Sequence, residues 1–277
     1  MIFFVYILLF IIKSYKKIFF GRNKIDLFWK ILANFAQTLI YMKMEGYTYF
    51  FNIWPWMGLG AAIVLIVLLF FTDFLCVEKE KCRWKDPYWL SWVFMVCYML
   101  HNVEEYGIDL TGAHNGFANA MAVIFGRPLE EYFFLCVNFS LVWVAAPLAA
   151  IIARYKRWPV LATGMAGFMI ANSLTHIVAG LVRGYNSGLA TTLCLFVPIA
   201  IWTLVVCYGN NGIKGSARWW NLGIGILYHI IMFGSILPAK FTGVISMPIL
   251  SVLMLVDAVL LFCLWILLQR LVYGSNK

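Results

Sequence analysis

Residues 244–271 read VISMPILSVLMLVDAVLLFCLWILLQRL, and only Asp257 and Arg270 in this stretch carry a charge. A bilayer core about 30 Å thick requires roughly 20 apolar residues in a helix, so the stretch is long enough to cross it. Its apolar residues are continuous rather than alternating, which favours a helix over a strand of a β-barrel. Six further stretches share these properties: residues 54–77, 88–110, 129–152, 158–181, 189–208 and 219–237. The sequence therefore predicts an all-α polytopic transmembrane bundle with about seven spanning helices.

The composition agrees with this fold class. Hydrophobic residues make up 64% of the 277 residues and charged residues only 12%, whereas soluble domains contain about 45–50% and about 25%. This excess excludes a soluble globule, a disordered chain, a coiled coil and a disulfide scaffold. The seven cysteines form no CxxC pair, which gives no support to a zinc–thiolate site or a redox dithiol. No basic stripe alternates with aromatic residues, so the net charge of +9 does not indicate nucleic-acid binding.

The chain divides into a short N-terminal segment and one long domain. Residues 51–277 are predicted to form a single transmembrane helical domain, because no repeat or second soluble domain interrupts them. Residues 1–50 combine a short apolar run with a basic cluster and fit this topology poorly. Three interpretations stay open: an interfacial helix, an additional crossing, or a translation start at Met42 or Met44 with the preceding residues wrongly included.

Basic residues in the loops predict the orientation. Eleven lie in the loops on one side of the predicted bundle, and three lie on the other: Arg127, Arg183 and Lys240. Cytoplasmic loops of membrane proteins carry the excess of Lys and Arg. We therefore expect an integral protein of the cytoplasmic (plasma) membrane with its C-terminus in the cytoplasm.

The densest polar cluster in an apolar run is His101-Asn102-Val103-Glu104-Glu105. Residues three and four apart share a helix face, so His101 aligns with both Glu104 and Glu105. Helix stability does not favour two carboxylates near a helix C-terminus, because they face the negative end of the macrodipole. Ionisable residues inside a membrane are costly and usually functional. An imidazole beside two carboxylates suits a metal site or acid–base catalysis.

Two other helices carry polar residues at a similar depth. At a rise of 1.5 Å per residue, His101 and His176 lie roughly 20 and 27 Å from the cytoplasmic starts of their helices. Both are therefore expected in the outer half of the membrane. Glu130 and Glu131 begin the helix between them at the same level. The sequence predicts that His101, His176 and Glu131 can meet in one layer.

The residues His101-x-x-Glu104-Glu105, Asn172-x-x-x-His176 and Tyr185-Asn186-Ser187-Gly188 resemble the HXXEE domain family of membrane proteins. That family has an HxxEE motif, a second histidine and a YxPG motif, and here Ser187 replaces the proline. Thr191 and Pro198 also look family-like. The resemblance covers about residues 89–198. It implies a membrane enzyme, although the reaction of the family is not established, so it supplies no substrate.

These residues predict a metal-dependent intramembrane enzyme, with a hydrolase as the favoured class. His101, His176 and one of Glu104 or Glu105 would bind a divalent ion, zinc first and iron second, while the other glutamate would act as general base. Tyr185 would orient the substrate or donate a proton. Residues that bind an organic cofactor are not evident in the sequence. A site at this depth suits a lipid, isoprenoid or other amphipathic substrate, with membrane lipids as the surrounding partners.

Three alternatives remain on sequence grounds. If Glu131 joins the ligands, the set approaches a dimetal carboxylate site with oxidase or desaturase chemistry. A buried pair of glutamate and histidine would also support a metal-free isomerase that shuttles protons, because burial raises the pKa of a carboxyl and lowers that of a histidine. A proton-coupled transporter is the non-enzyme alternative, although no internal repeat is present.

Overall fold

The computed structural model describes residues 45–209, 212–243 and 245–274. The predictions for residues 1–44 lie outside the described residues. The site and its supporting helices belong to the compact unit Asn52–Lys277. The helices, in chain order, are α1 (Glu45–Phe71), α2 (Pro87–Asn102, continued by the π-helical turn Val103–Gly107), α3 (Gly116–Phe125), α4 (Glu131–Lys156), α5 (Pro159–Arg183), α6 (Leu189–Val206), α7 (Ala217–Phe241) and α8 (Met247–Tyr273).

The predicted all-α transmembrane bundle is confirmed. In the described part of the chain, six helices, α1 and α4 to α8, are long and apolar enough to cross a membrane, and they identify an integral membrane protein. Helix α2 is the seventh predicted segment, and it is less apolar because it ends in the His101–Glu105 cluster. Its start is well defined, because the Asp86 carboxylate accepts a hydrogen bond from the Tyr88 N–H and Pro87 occupies the first turn.

Helix α3 was not among the predicted elements. It occupies the connection between α2 and α4, and at ten residues it is too short to span a membrane. Residues in the left-handed region, Asn115 and Gly126, bound it at its two ends. Its contacts are with the π-helical turn of α2, so it lies beside the polar cluster.

Helices α5 and α7 form the most extensive helix–helix contact among the described residues. The two backbones meet at Gly167 and Gly225. A Cβ atom on Gly225 would lie 2.3 Å from the Gly167 carbonyl oxygen, and one on Gly167 would lie 2.2 Å from the Asn221 carbonyl oxygen. Any side chain at these positions would force the helices apart, because the nearest neighbouring atoms belong to the backbone rather than to flexible side chains.

We expect Gly167→Ala to lower the free energy of unfolding by about 1–3 kcal/mol, because the methyl group overpacks the contact between α5 and α7. Gly223→Ala is the matched control on α7, since a Cβ atom at Gly223 meets no atom within 4 Å. Alanine at an open helix position should leave stability unchanged or slightly higher. Thermal unfolding of the detergent-purified proteins measures both effects, and equal melting temperatures for the two variants would contradict this packing.

Candidate metal centre

The His101–Glu105 cluster lies where α2 changes from α-helix to π-helix. The π-helical turn Val103–Gly107 is closed by a 2.9 Å hydrogen bond from the Ile108 N–H to the Val103 carbonyl, five residues back. Such π-bulges are rare and are found often at functional sites. In this turn the side chains of Glu104 and Glu105 are both buried, although they are adjacent in sequence.

Three buried side chains converge at this turn: His101, Glu105 and His176. The Nε2 atom of His101 lies 3.5 Å from Oε1 of Glu105, and the Nε2 atom of His176 lies 3.4 Å from the same oxygen. The two imidazole rings are perpendicular, with centroids 4.9 Å apart. Helices α2 and α5, which are distant in sequence, therefore bring two ring nitrogens to one carboxylate.

Neighbouring side chains determine which ring nitrogen of each histidine carries the proton. The Asn186 amide donates to the backbone carbonyl of His176, so its Oδ1 atom accepts from the ring Nδ1–H at 2.8 Å. The Thr191 hydroxyl donates to the Glu104 carboxylate at 2.5 Å. That hydroxyl therefore accepts from Nδ1–H of His101, 2.8 Å away. Both rings carry a proton on Nδ1, and each presents Nε2 to Glu105.

Glu104 accepts four hydrogen bonds. Its Oε1 atom accepts from the Tyr185 hydroxyl at 2.8 Å and from the Ala190 N–H at 3.0 Å. Its Oε2 atom accepts from the Thr191 N–H and the Thr191 hydroxyl. Ala190 and Thr191 lie in the first turn of α6, where free N–H groups and the helix dipole favour a carboxylate. Glu104 thus ties α2 to α6 and supports His101 through Thr191.

The three-residue group fits a divalent ion. Two ligand atoms that each lie about 2.0–2.1 Å from a tetrahedral zinc ion are themselves roughly 3.4 Å apart. The two nitrogen–oxygen distances match this separation, and all three ligand atoms lie within 4.8 Å of one another. The Nε2 atom of His101 is buried and has no hydrogen-bond partner among the described residues. Metal-bound histidines characteristically donate the other ring N–H to an oxygen, as both do here.

A cavity of about 540 Å³ opens beside the group. Glu105 and His176 line it, together with residues of α3, α4, α5 and α7 and of the segments that follow α2 and α5. The apolar part of the wall consists of Phe117, Met121, Ile124, Phe133, Phe134, Val137, Met232, Phe233 and Ile236. Known ligand pockets have volumes of about 300–1,000 Å³ and similarly apolar walls with few polar groups.

Gly188 packs against both histidine rings. A Cβ atom there would lie 2.6 Å from Cε1 of His176 and 2.7 Å from Cε1 of His101. Its φ of +98° lies in the left-handed region, which an L-residue adopts only with strain. The loop between α5 and α6 can therefore cover the two imidazoles only with glycine at this position.

Hydrogen bonds at the rim of the cavity join two loops. The Ser187 hydroxyl donates to Asp109 at 2.7 Å, and the Leu110 N–H donates to the Tyr185 hydroxyl at 3.1 Å. Burial opposes ionisation of Asp109, but hydrogen bonds from Thr111 and Ser187 outweigh it and hold the pKa of this carboxyl below its ordinary value. Burial, reinforced by the nearby Glu104, raises the pKa of Tyr185, so its hydroxyl keeps its proton at neutral pH.

The structure brings together three of the predicted metal ligands, His101, Glu105 and His176. Glu104 lies beside them, with its oxygens occupied by Tyr185 and α6. Glu131 is the first residue of α4 and does not line the cavity, and among the described residues the group contains no second carboxylate. Asn186 and Thr191, which hold the rings, had no role assigned from sequence. The sequence signal that could have identified them was their position in the family-like pattern, because polar residues that follow a second histidine can form hydrogen bonds with it.

A family model described as "Protein of unknown function with HXXEE motif" matches residues 92–203. The resemblance read from the sequence over residues 89–198 is thereby confirmed. The match includes the three grouped side chains and the loop that holds them, and it ends before α7. Neither a curated protein nor a solved structure shows significant similarity to the chain.

We expect Gly188→Ala to destabilise the protein more than Gly184→Ala does. Both glycines have a positive φ, at +98° and +83°, so both substitutions introduce backbone strain. Only at Gly188 would the new methyl group also collide with the imidazoles, since a Cβ atom at Gly184 meets nothing within 4 Å. Thermal unfolding of both variants isolates the collision, with an expected difference of about 1–3 kcal/mol. Equal losses would mean that Gly188 is required only for its φ.

Proposed function

We propose that the protein is a metal-dependent intramembrane hydrolase that acts on a lipid, isoprenoid or other amphipathic substrate. The observation that carries the proposal is the meeting of two imidazole nitrogens and one carboxylate oxygen, all buried, beside a largely apolar cavity. Catalytic zinc sites commonly have three protein ligands of these types and one open position.

In this proposal His101, His176 and Glu105 hold the divalent ion, with zinc first and iron second. A divalent ion at such a site polarises a substrate carbonyl and makes water a stronger nucleophile at neutral pH. Thr191 and Asn186 position the two rings by accepting their Nδ1–H protons. Loss of a residue that orients a ligand in this way typically lowers metal affinity by about 10–100-fold.

Glu104 acts as a positioning residue in this mechanism. To serve as general base it would have to release the four donors that its oxygens accept. Glu105 has one oxygen, Oε1, directed at the two histidines and it lines the cavity; in this proposal Oε1 would hold the ion, and the second oxygen of the same carboxylate would accept a proton from water. Tyr185 also lines the cavity and keeps its proton, which suits it to orient a substrate at the rim.

A metal-free isomerase is the second candidate, and one observation favours it. Glu105 and His176 line the cavity together, with 3.4 Å between the carboxylate oxygen and the ring nitrogen. A proton held between these atoms would serve acid–base chemistry without an ion. Metal content separates this candidate from the hydrolase.

Purified wild-type protein should contain one divalent ion per chain and hydrolyse a long-chain p-nitrophenyl ester. His176→Gln removes a ring nitrogen that faces Glu105 and should abolish both properties. His114→Gln is the matched control, because His114 is exposed, bonds the Gly107 carbonyl through Nδ1 and lies outside the three-residue group. Elemental analysis after dialysis against excess zinc, combined with the ester assay, measures both properties.

Three results would contradict the hydrolase. Well-folded wild type with much less than one ion per chain would contradict the proposal that the protein binds a metal. Full metal content in His176→Gln would contradict the assignment of His176 as a ligand. Protein that contains one ion per chain but cleaves no ester of any chain length would contradict the proposed hydrolysis. Thermal unfolding of His176→Gln shows whether that variant is folded, and Glu105→Gln provides a second test of the same ligand set.

We also propose that the C-terminus and the loop between α1 and α2 face the cytoplasm, on the basis of the basic residues in the loops. Cys82 is an exposed cysteine in that loop. An impermeant maleimide should therefore leave Cys82 unlabelled in intact cells and label it after permeabilisation. In a Cys82→Ser background, Arg127→Cys places a thiol between α3 and α4 and should be labelled in intact cells. The reverse labelling pattern would overturn the orientation.

A further inference from the structure

The wall of the cavity contributed by α7 carries a histidine that the proposed reaction does not use. His229 is 6% exposed and lines the cavity. Its Nδ1–H donates to the Gly225 carbonyl at 2.8 Å, because a carbonyl can only accept. The other nitrogen, Nε2, has no hydrogen-bond partner in the described part of the chain. A neutral ring held in this way presents an unused acceptor.

Helix α5 supplies a second unused acceptor on the same cavity. Asn172 lines the cavity one helical turn before His176, and its Oδ1 atom is buried without a partner among the described residues. The two acceptors therefore lie on the two helices, α5 and α7, that bound this part of the cavity. Buried polar atoms are almost always hydrogen-bonded, so two free acceptors on one cavity indicate a missing donor.

The chemistry of these groups selects the kind of ligand. Two acceptors favour a group that brings a hydrogen-bond donor, and at His229 and Asn172 they disfavour a carboxylate or phosphate, which only accepts, although Arg183, another lining residue, would bind an anion. The surrounding phenylalanine, methionine and isoleucine side chains favour a hydrocarbon chain. His229, Glu105 and His176 line the same cavity, so one ligand can contact all three.

We propose that the substrate is a long-chain lipid with a free hydroxyl group, and that His229 accepts the hydrogen bond from this hydroxyl. This assignment of the substrate rests on the proposed function in one respect, namely that the same cavity holds the substrate. His229 lies beyond residues 92–203 and is therefore not part of the matched family region. The specificity for a hydroxyl-bearing lipid is thus assigned to α7, separately from the ion-binding residues.

A competition between two matched ligands tests the hydroxyl directly. Purified wild-type protein in detergent is mixed with equimolar hexadecanol and hexadecyl methyl ether, which differ in whether the oxygen can donate. Native mass spectrometry then measures the ratio of bound alcohol to bound ether. Wild type should favour the alcohol by about fivefold relative to His229→Leu, because that variant removes the acceptor. His229→Gln keeps an acceptor at a similar reach and should restore most of the preference.

Metal content is measured on the same samples, so the two proposals fail separately. All three proteins should contain equal metal, because His229 is outside the ion-binding group. An alcohol-to-ether ratio that is the same in wild type and His229→Leu would overturn the role of His229, whatever the metal content. An ion-free wild type that still selects the alcohol through His229 would overturn the hydrolase and leave the ligand assignment standing.

Discussion

The carboxylate of Glu105 is the group on which the arrangement of the site depends. It is 5% exposed inside a helical bundle, and burying a charge costs roughly several kcal/mol unless close partners compensate it. Two ring nitrogens supply this compensation, one from α2 and one from α5. Each ring is in turn held by an oxygen on the chain that follows α5, so the loop and α6 are needed to keep the carboxylate stable. The polar centre thereby fixes the relative positions of three helices.

The number of hydrogen-bond donors that reach each carboxylate explains why the two adjacent glutamates have different proposed roles. Glu104 receives four donors from Tyr185, Ala190 and Thr191, which leaves it well satisfied without a cation. Among the described residues Glu105 receives no comparable set of donors, and it faces two ring nitrogens, Nε2 of His101 and of His176, while each ring's proton is on Nδ1. A positive charge between these three groups would remove the mismatch, and both a divalent ion and a shared proton provide one. The same arrangement therefore underlies both candidate reactions.

Sequence reasoning predicted the transmembrane helices, because hydropathy is a local property. It also named His101, Glu105 and His176, which the structure groups, although their role as metal ligands stays a prediction. His101 and Glu105 share a face by spacing alone, and His176 was found by depth along its helix. Depth does not specify the direction in which a side chain points: Glu131 begins α4 as expected, but among the described residues it is not part of the group of His101, Glu105 and His176 and does not line their cavity. The distinction between Glu104 and Glu105 depends on Thr191, 87 residues away, and on a π-helical turn. Neither is visible in a local pattern.

The contact between α5 and α7 links the stability of the fold to the geometry of the cavity. The two helices touch through their backbones at Gly167 and Gly225, and further along both they line the cavity with Asn172 and His229. The helix that carries Asn172 also carries His176, one turn later. The separation of Asn172 from His176 is therefore set by a single rigid helix, whereas the position of His229 relative to both depends on the glycine contact between α5 and α7. A substrate that must place a hydroxyl and a scissile bond at fixed separation requires both, so the close glycine packing and the chemistry of the site are parts of the same constraint.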